Sequence, residues 1–236
     1  MSSISKIETT QILIQNGDLR IECYFSKPEN PKGSVIVIHE VFGINAHLRS
    51  VVDGLAREGY AAIAPNMVQR SATRLDLDYS DESLILGRSH KDMMTAEQIA
   101  SDLTAVIDAV KGWGQVAIVG FCFGGHVAFL GAMLPGITAT VVFYGSGIGV
   151  LTPGGGEASM RRSAEISGRI LMFYGLQDDI ILNEQADAVE AALARAGVNH
   201  EVVRYDAGHG FFCEARPSFD PVAAENAWTR LLAFIG

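Results

Sequence analysis

The chain has 236 residues, of which 48% are hydrophobic and 19% charged, and its net charge is −9. This length and apolar content suit one domain, residues 1–236, with a single large core. The acidic balance and the lack of a long basic run exclude the usual signatures of nucleic-acid or anionic-membrane binding. We therefore expect neither nucleic acid nor a membrane as a partner.

The first ten residues are polar and lack the basic start and apolar stretch of a secretory signal. The longest apolar stretch, residues 116–134, is interrupted by glycines and by His126, so it predicts a strand, a turn and a helix rather than a membrane span. Cys23, Cys122 and Cys213 share no metal-like spacing, and we expect neither a disulfide framework nor a metal site. These features together predict a cytoplasmic protein.

Two strand-like segments flank Asn16-Gly-Asp18, a turn signal that predicts an antiparallel hairpin at one sheet edge. From residue 34 onward, apolar β-branched runs alternate with helix-like stretches. This alternation predicts an α/β fold with a mostly parallel eight-stranded sheet and helices on both faces. The expected strands are 9–14, 19–25, 34–39, 61–64, 116–119, 139–144, 169–174 and 201–205, and the expected helices are 48–58, 96–111, 123–134, 184–196 and 221–234. Residues 65–94 and 146–167 are predicted to be loop-rich, which is typical of binding loops and lids.

The sharpest motif is Gly-Phe-Cys122-Phe-Gly-Gly, at residues 120–125 between a predicted strand and an apolar helix. A nucleophile elbow has this setting, because its strained turn requires small residues two positions before and two after the nucleophile. The dipole of the following helix would favour a thiolate at Cys122. One alternative is a small buried core cysteine. Another is a dinucleotide-binding turn, although Gly-x-Gly-x-x-Gly is absent.

A cysteine nucleophile needs a base, and in this arrangement an acid follows a later strand and a histidine follows the last one. His209 follows strand 201–205 in a loop of small residues, and Asp178 follows strand 169–174. Asp178 is favoured over its neighbour Asp179, and Asp206 is a weaker competitor typical of a solvated turn. The acid would fix the histidine tautomer and stabilise the imidazolium.

Several segments resemble the dienelactone hydrolase family. They are Gly-Phe-Cys122-Phe-Gly-Gly, Gly-x-x-Asp178, Gly-His209-Gly-Phe and the runs at residues 35–45 and 59–65. The resemblance covers nearly the whole core, from about residue 33 to 236. The resemblance implies the α/β-hydrolase fold and a Cys122-Asp178-His209 triad. It also implies an oxyanion hole made by the backbone amides of Val41 and Phe123.

The resemblance further implies that Glu40 contacts the thiol and helps to ionise it when substrate arrives. A salt bridge is the simpler hypothesis for this carboxylate, which directly follows a buried strand. The implied activity is hydrolysis of a small carboxylic ester or lactone through an acyl-thioester, with no cofactor and no metal.

The family has a substrate-binding arginine four residues after the histidine that corresponds to His209. This chain has Cys213 at that position, and the nearest arginine is Arg216. The candidate substrate-binding residues are Phe42, Phe211 and Arg88, although the two aromatic residues could equally belong to the core. Because the motifs specify the nucleophile better than the substrate, a thioester, peptide or phosphoester substrate is an alternative. A non-catalytic binding protein is another. Both a monomer and a dimer are compatible with the sequence.

Overall fold

Eight strands form one mixed sheet in the computed structural model, which describes residues 6–236. They are β1 (Ile7–Asn16), β2 (Leu19–Pro28), β3 (Ser34–Ile38), β4 (Ala61–Pro65), β5 (Val116–Phe121), β6 (Ile137–Phe143), β7 (Arg169–Gly175) and β8 (His200–Tyr205). Their order is β1-β2-β4-β3-β5-β6-β7-β8. The β1–β2 hairpin lies at one edge, and all pairs from β4 to β8 are parallel. The predicted α/β fold with a mostly parallel sheet is confirmed.

The central strands consist mainly of small and β-branched apolar residues, because both faces of the sheet are covered. All residues of β3 and β5 are buried. Their parallel pairing aligns Val37 with Val119 and Ile38 with Gly120, so the two strands end at the same edge of the sheet. The loop after β3 and the turn after β5 therefore lie side by side.

Six α-helices lie within residues 6–236: α1 (Ala46–Arg57), α2 (Asp81–Asp92), α3 (Ala96–Val110), α4 (Phe123–Gly131), α5 (Asn183–Arg195) and α6 (Pro221–Ile235). The chain moves from β3 to β4 in one direction and from β4 to β5 in the other, so right-handed crossovers place α1 and α3 on opposite faces. The packing agrees, because Gly54 of α1 lies against Trp228 of α6, whereas Gly131 of α4 lies against Leu103 of α3. Helices therefore cover both faces of the sheet, as expected.

The region between β4 and α3 was expected to be loop-rich, but it contains the helix α2. Ser80 caps this helix, and two acidic residues follow in its first turn. Most of α2 is exposed, and its large apolar residues are clustered at 84–86. The sequence therefore lacks the regular apolar stripe from which a helix could have been predicted. Gly87 brings α2 against the loop after β3, since a Cβ at this position would lie 2.2 Å from the carbonyl oxygen of Val41.

The segment between β6 and β7 is mostly irregular, as expected, and contains one 3₁₀ helix, Ser159–Glu165. In the part of the chain that the structure describes, none of the helices has the length and apolar character that a membrane span requires.

Candidate active site

Cys122 lies on the turn between β5 and α4 with the backbone geometry of a nucleophile elbow. Its φ of 54° and ψ of −115° belong to a region that L-residues rarely adopt. A Cβ at Gly120 would lie 1.9 Å from the carbonyl oxygen of Gly124, and a Cβ at Gly124 would lie 2.4 Å from that of Ile38. This packing explains why both positions are glycine.

The thiol of Cys122 is half-buried and lies near Ser146. Cys122 Sγ is 3.8 Å from Ser146 Oγ, and the Ser146 amide donates a hydrogen bond to the carbonyl oxygen of Cys122 (3.1 Å). Ser146 follows β6 within Gly-Ser-Gly, at the same edge of the sheet. Ser146 was not among the residues predicted from the sequence, although a polar residue between glycines at the carboxyl end of a parallel strand is a signal that could have identified it.

His209 and Asp178 form a buried pair after β8 and β7. His209 Nδ1 lies 2.8 Å from Asp178 Oδ2, and both side chains are almost fully buried. The other carboxylate oxygen, Asp178 Oδ1, accepts hydrogen bonds from the amides of Ile180 and Ile181, each at 2.8 Å. The carboxylate is therefore held on both sides and orients the imidazole.

The two competing acids have other surroundings. Asp179 is exposed, and Asp206 accepts a hydrogen bond from Gln177 Nε2 at 2.8 Å. Asp178 is therefore the acid that the structure pairs with the histidine.

The second ring nitrogen of His209, Nε2, is buried and has no hydrogen-bond partner among residues 6–236. Burial alone would lower the pKa of His209, but the charge of Cys122 and the hydrogen bond with Asp178 outweigh it and raise the pKa to about 10. Catalytic hydrogen bonds often tighten only when substrate binds. The Cys122 side chain already lies near enough to the imidazole to contribute to its raised pKa.

The backbone amides of Val41 and Phe123 are available to a ligand. Both residues line the same cavity as Cys122. Neither amide donates a hydrogen bond to a protein group in the described part of the chain. Phe123 is the first residue of α4, and its N–H is one of the unpaired donors of that helix.

Glu40 is buried after β3 and forms a salt bridge with Arg216. Arg216 Nη1 lies 2.8 Å from Glu40 Oε1, whereas Glu40 Oε2 has no hydrogen-bond partner among the described residues. The guanidinium also lies over the rings of Phe42 and Tyr79, at 6.0 and 5.8 Å from their centroids. The structure therefore shows the salt bridge. Among the described residues, it shows no hydrogen bond between this carboxylate and Cys122.

Arg216 lines the cavity, whereas Cys213 is fully buried and does not. The arginine in the cavity thus comes from a position three residues later than the one at which the family pattern has an arginine. Both residues lie in the long loop between β8 and α6. Spacing alone could not show this, because the path of that loop decides which side chain reaches the cavity.

A cavity of about 620 Å³ opens above these groups, within the usual size range of small-molecule sites. Of the residues expected in the site, it is lined by Cys122, His209, Val41, Phe123, Phe42 and Arg88. Its other walls come mainly from α2 and the loop after β6. A smaller cavity of about 230 Å³ beside the β1–β2 hairpin contains none of these groups.

Phe211 does not line the cavity. It is fully buried, and its ring packs against those of Tyr144 and Tyr205 with both centroid distances at 5.3 Å. In this position its side chain supports the aromatic ring of Tyr144, which in turn lies against His209. The structure thus places Phe211 in the core, the second of the two possibilities that the sequence allowed.

Residues 65–94 contain three arginines, Arg70, Arg74 and Arg88, and only Arg88 of these lines the cavity. Arg70 pairs with the buried Asp102 at 2.7 Å, and Arg74 lies 3.6 Å from Glu22. No carboxylate of the described residues lies within 4.0 Å of the Arg88 guanidinium. Arg88 is therefore free to interact with a ligand.

His126 also lines the cavity, one helical turn after Cys122, and it was not among the site residues predicted from the sequence. His126 Nε2 lies 2.7 Å from Ser159 Oγ, which is 3.1 Å from Thr152 Oγ1. Burial lowers the pKa of His126 to about 4, so the ring is neutral near pH 7. These polar contacts connect the loop after β6 to α4.

Comparisons with known proteins agree with this geometry. The model of the dienelactone hydrolase family matches residues 21–236. A Synechocystis sp. protein provisionally named carboxymethylenebutenolidase is 40% identical over 233 residues, which cover 95% of each chain. An Escherichia coli protein with the same provisional name is 32% identical over 222 residues, covering 89% of this chain and 79% of its own.

A solved structure shows the same fold. The crystal structure of a Klebsiella pneumoniae protein, provisionally named a dienelactone hydrolase, matches with a TM-score of 0.88 and 27% identity, covering 97% of this chain and 98% of that chain. The resemblance seen in the sequence is thus confirmed, and the chain belongs to the dienelactone hydrolase family.

Proposed function

We propose that the protein hydrolyses carboxylic esters or lactones, with Cys122 as nucleophile, His209 as base and Asp178 as the acid that orients the base. The observation that carries the proposal is the left-handed backbone of Cys122 at the start of α4, in the same cavity as His209. A cysteine that only fills a core needs no strained turn. Such strain typically accompanies function.

In the first step, the Cys122 thiol gives its proton to His209 Nε2 and the thiolate attacks the carbonyl carbon. The carbonyl electron pair moves onto oxygen, and the amides of Val41 and Phe123 donate hydrogen bonds to the resulting oxyanion. Losing one such donor typically costs roughly 10²–10³ in rate.

The tetrahedral intermediate then collapses. The carbon–oxygen bond of the ester or lactone breaks, the leaving alkoxide takes the proton from His209, and an acyl-thioester remains on Cys122. Water next attacks this thioester with His209 as base, which releases the carboxylic acid and restores the thiol. Throughout, Asp178 keeps the imidazole in the required tautomer and stabilises its protonated form. These steps require no cofactor.

We further propose that the substrate is a small ester or lactone carrying a carboxylate. Arg88 and Arg216 both line the cavity, and a guanidinium can bind a carboxylate through two parallel hydrogen bonds. Phe42 and Leu84 also line the cavity, and their apolar side chains suit the carbon skeleton of such a substrate. The relatives' provisional name, carboxymethylenebutenolidase, itself describes a lactone with a carboxymethylene group, which fits this charge pattern.

Glu40 is proposed to take part in activating Cys122. A substrate carboxylate on Arg216 would compete with Glu40 for the guanidinium and release the Glu40 carboxylate, which would take the thiol proton and pass it on to His209 Nε2. A nucleophilic thiol stays reduced most readily in a reducing compartment, and we propose that the protein acts in the cytoplasm. A Glu40→Gln variant with an unchanged thiol titration and an unchanged rate would contradict this role.

The experiment that tests the activity is a substrate panel with the wild type and a Cys122→Ala variant. It contains dienelactone, neutral and carboxylate-bearing p-nitrophenyl esters, a thioester and a phosphoester, with mass spectrometry for an acyl adduct. Turnover of esters by the wild type alone, with an adduct on Cys122, is expected. Turnover confined to the thioester or phosphoester would favour the alternative substrates, and the absence of both turnover and adduct would favour a binding protein.

A further inference from the structure

Three side chains with metal-binding atoms converge outside the catalytic cavity. They are His47 in the first turn of α1, and Cys213 and Glu214 in the loop between β8 and α6. One ligand atom from each lies within 4.8 Å of the others. None of the three lines the cavity that contains Cys122. We propose that His47, Cys213 and Glu214 bind one divalent transition-metal ion of the zinc class.

The types of donor atom select the class of metal. An imidazole nitrogen, a thiolate and a carboxylate oxygen are the ligands that zinc and cobalt accept together, whereas calcium and magnesium require oxygen donors. Three protein ligands and one water complete a tetrahedral site. With metal–ligand distances of about 2.0–2.3 Å, neighbouring ligand atoms in such a site lie roughly 3.3–3.8 Å apart. Small side-chain movements bring the observed group to this spacing.

A His–Glu pair alone does not account for the arrangement. His47 Nδ1 lies 2.7 Å from Glu214 Oε2, so these two side chains already converge. The His47 side chain is only 4% exposed, and its Nε2 is buried without a hydrogen-bond partner among the described residues. The ring therefore has a nitrogen for which the described residues supply no partner, and the buried thiol of Cys213 lies near the same ring.

The surroundings offer an entry path and support for the sulfur ligand. Glu214 is 56% exposed, and together with His47 it lines a surface cleft of about 300 Å³ between α1 and α6. A hydrated ion can enter through this cleft, and a water ligand can remain there. On the inner side, the Tyr79 hydroxyl is within hydrogen-bonding reach of Cys213, a contact of the kind that orients metal ligands.

Metal binding replaces the proton of the Cys213 thiol. The S–H bond breaks, an S–metal bond forms and the proton passes to solvent, so the thiolate and the carboxylate together neutralise the divalent charge. The loop that carries Cys213 and Glu214 also supplies residues that line the cavity containing Cys122. The Cys213 amide donates to the carbonyl oxygen of Gly210 (3.0 Å), and the Arg216 amide donates to that of Cys213 (3.1 Å). A bound ion would therefore hold the loop that carries both His209 and Arg216.

Cobalt(II) is a suitable probe, because a cobalt–thiolate bond gives a charge-transfer absorption that reports directly on sulfur ligation. The full-length Cys122→Ala protein, in which the cavity thiol cannot contribute, is titrated with Co²⁺ and then with competing Zn²⁺. We expect one equivalent of Co²⁺ to bind with this absorption, and Zn²⁺ to displace it. Adding Cys213→Ser should abolish the absorption, and His47→Gln or Glu214→Gln should weaken binding at least about tenfold.

Two matched controls keep the test specific. Cys23→Ser changes another fully buried cysteine, and Glu225→Gln changes another exposed acid, and both should leave Co²⁺ binding unchanged. Because Glu214 is exposed, its variant should fold normally by circular dichroism. An absorption that survives Cys213→Ser, that depends on Cys23, or that is absent from the folded Cys122→Ala protein in excess Co²⁺ would overturn the proposal. No turnover is measured, so the result is independent of the proposed hydrolase activity.

Discussion

The floor and the cover of the catalytic cavity are built in different ways. The floor consists of turns that directly follow β3, β5, β7 and β8, and it holds Cys122, His209 and the buried carboxylate of Asp178. The cover consists of α2 and the loop after β6, which carry large exposed apolar side chains such as Ile85 and Leu151, at 70% and 48% exposure. Under the proposed function, the parallel sheet positions the reacting groups, and the less buried elements would contact the rest of the substrate.

We expect the floor to determine the type of reaction and the cover to determine which substrates bind. Changes in the floor should remove activity toward every substrate or prevent folding, because the residues there are buried and close-packed. Changes in the cover should alter which substrates bind and leave the fold intact. The following variants test that separation.

The largest effect is expected for Cys122→Ala. If the thiol is the nucleophile, kcat/KM should fall by at least about 10⁴-fold for every ester in the panel, as for removal of other catalytic nucleophiles. Cys23→Ala, at a fully buried cysteine of β2, serves as control and should retain activity at a temperature where it stays folded. A Cys122→Ala enzyme with more than a few per cent of wild-type activity would exclude this nucleophile.

The next effect concerns folding of the elbow. Gly124→Ala would place a Cβ 2.4 Å from the carbonyl oxygen of Ile38 and 2.5 Å from that of His39, so backbone must move. We expect a loss of about 3 kcal/mol or more in the free energy of unfolding, measured by urea denaturation. Gly112→Ala is the control, because nothing lies within 4 Å of its new methyl group. Equal stability of the two variants would mean that the turn is not tightly packed.

The floor was largely predictable from the sequence, and the cover was not. Asp178 and His209 could be selected because parallel strands end at one edge, so the residues that follow them must meet there. Phe211 could not be separated from a cavity residue, since periodicity does not show which way a loop side chain turns. Arg216 and α2 were missed for related reasons: a long loop changes which residue reaches the cavity, and an exposed helix lacks a regular apolar stripe.

A pH titration tests the charge environment of the floor. Because the pKa of His209 is raised to about 10 in the folded protein from its ordinary value of 6.5, proton binding by this residue stabilises the fold. That stabilisation is fully present below pH 6.5 and is lost as the pH rises through 10. The free energy of unfolding of the wild type should therefore decrease between pH 6.5 and 10 relative to His209→Gln.

The same titration can identify the cause of the raised pKa. Cys122→Ala removes one of the groups that raise the pKa of His209, so its stability should depend less on pH than that of the wild type. Parallel stability curves for the wild type and His209→Gln would show that the imidazole titrates near its ordinary value.

The smallest effect is expected in the cover, at Arg88. This prediction depends on the proposal that the substrate carries a carboxylate. Arg88→Ala should raise KM for a carboxylate-bearing ester by about five- to tenfold, because an exposed charge contact contributes only modestly to binding. The KM for a matched neutral ester and the thermal stability should stay unchanged. Arg74→Ala, at an arginine that does not line the cavity, should leave both substrates unaffected. If Arg88→Ala instead lowered kcat equally for both esters, α2 would help to position the reacting groups, and the division between floor and cover would fail at this helix.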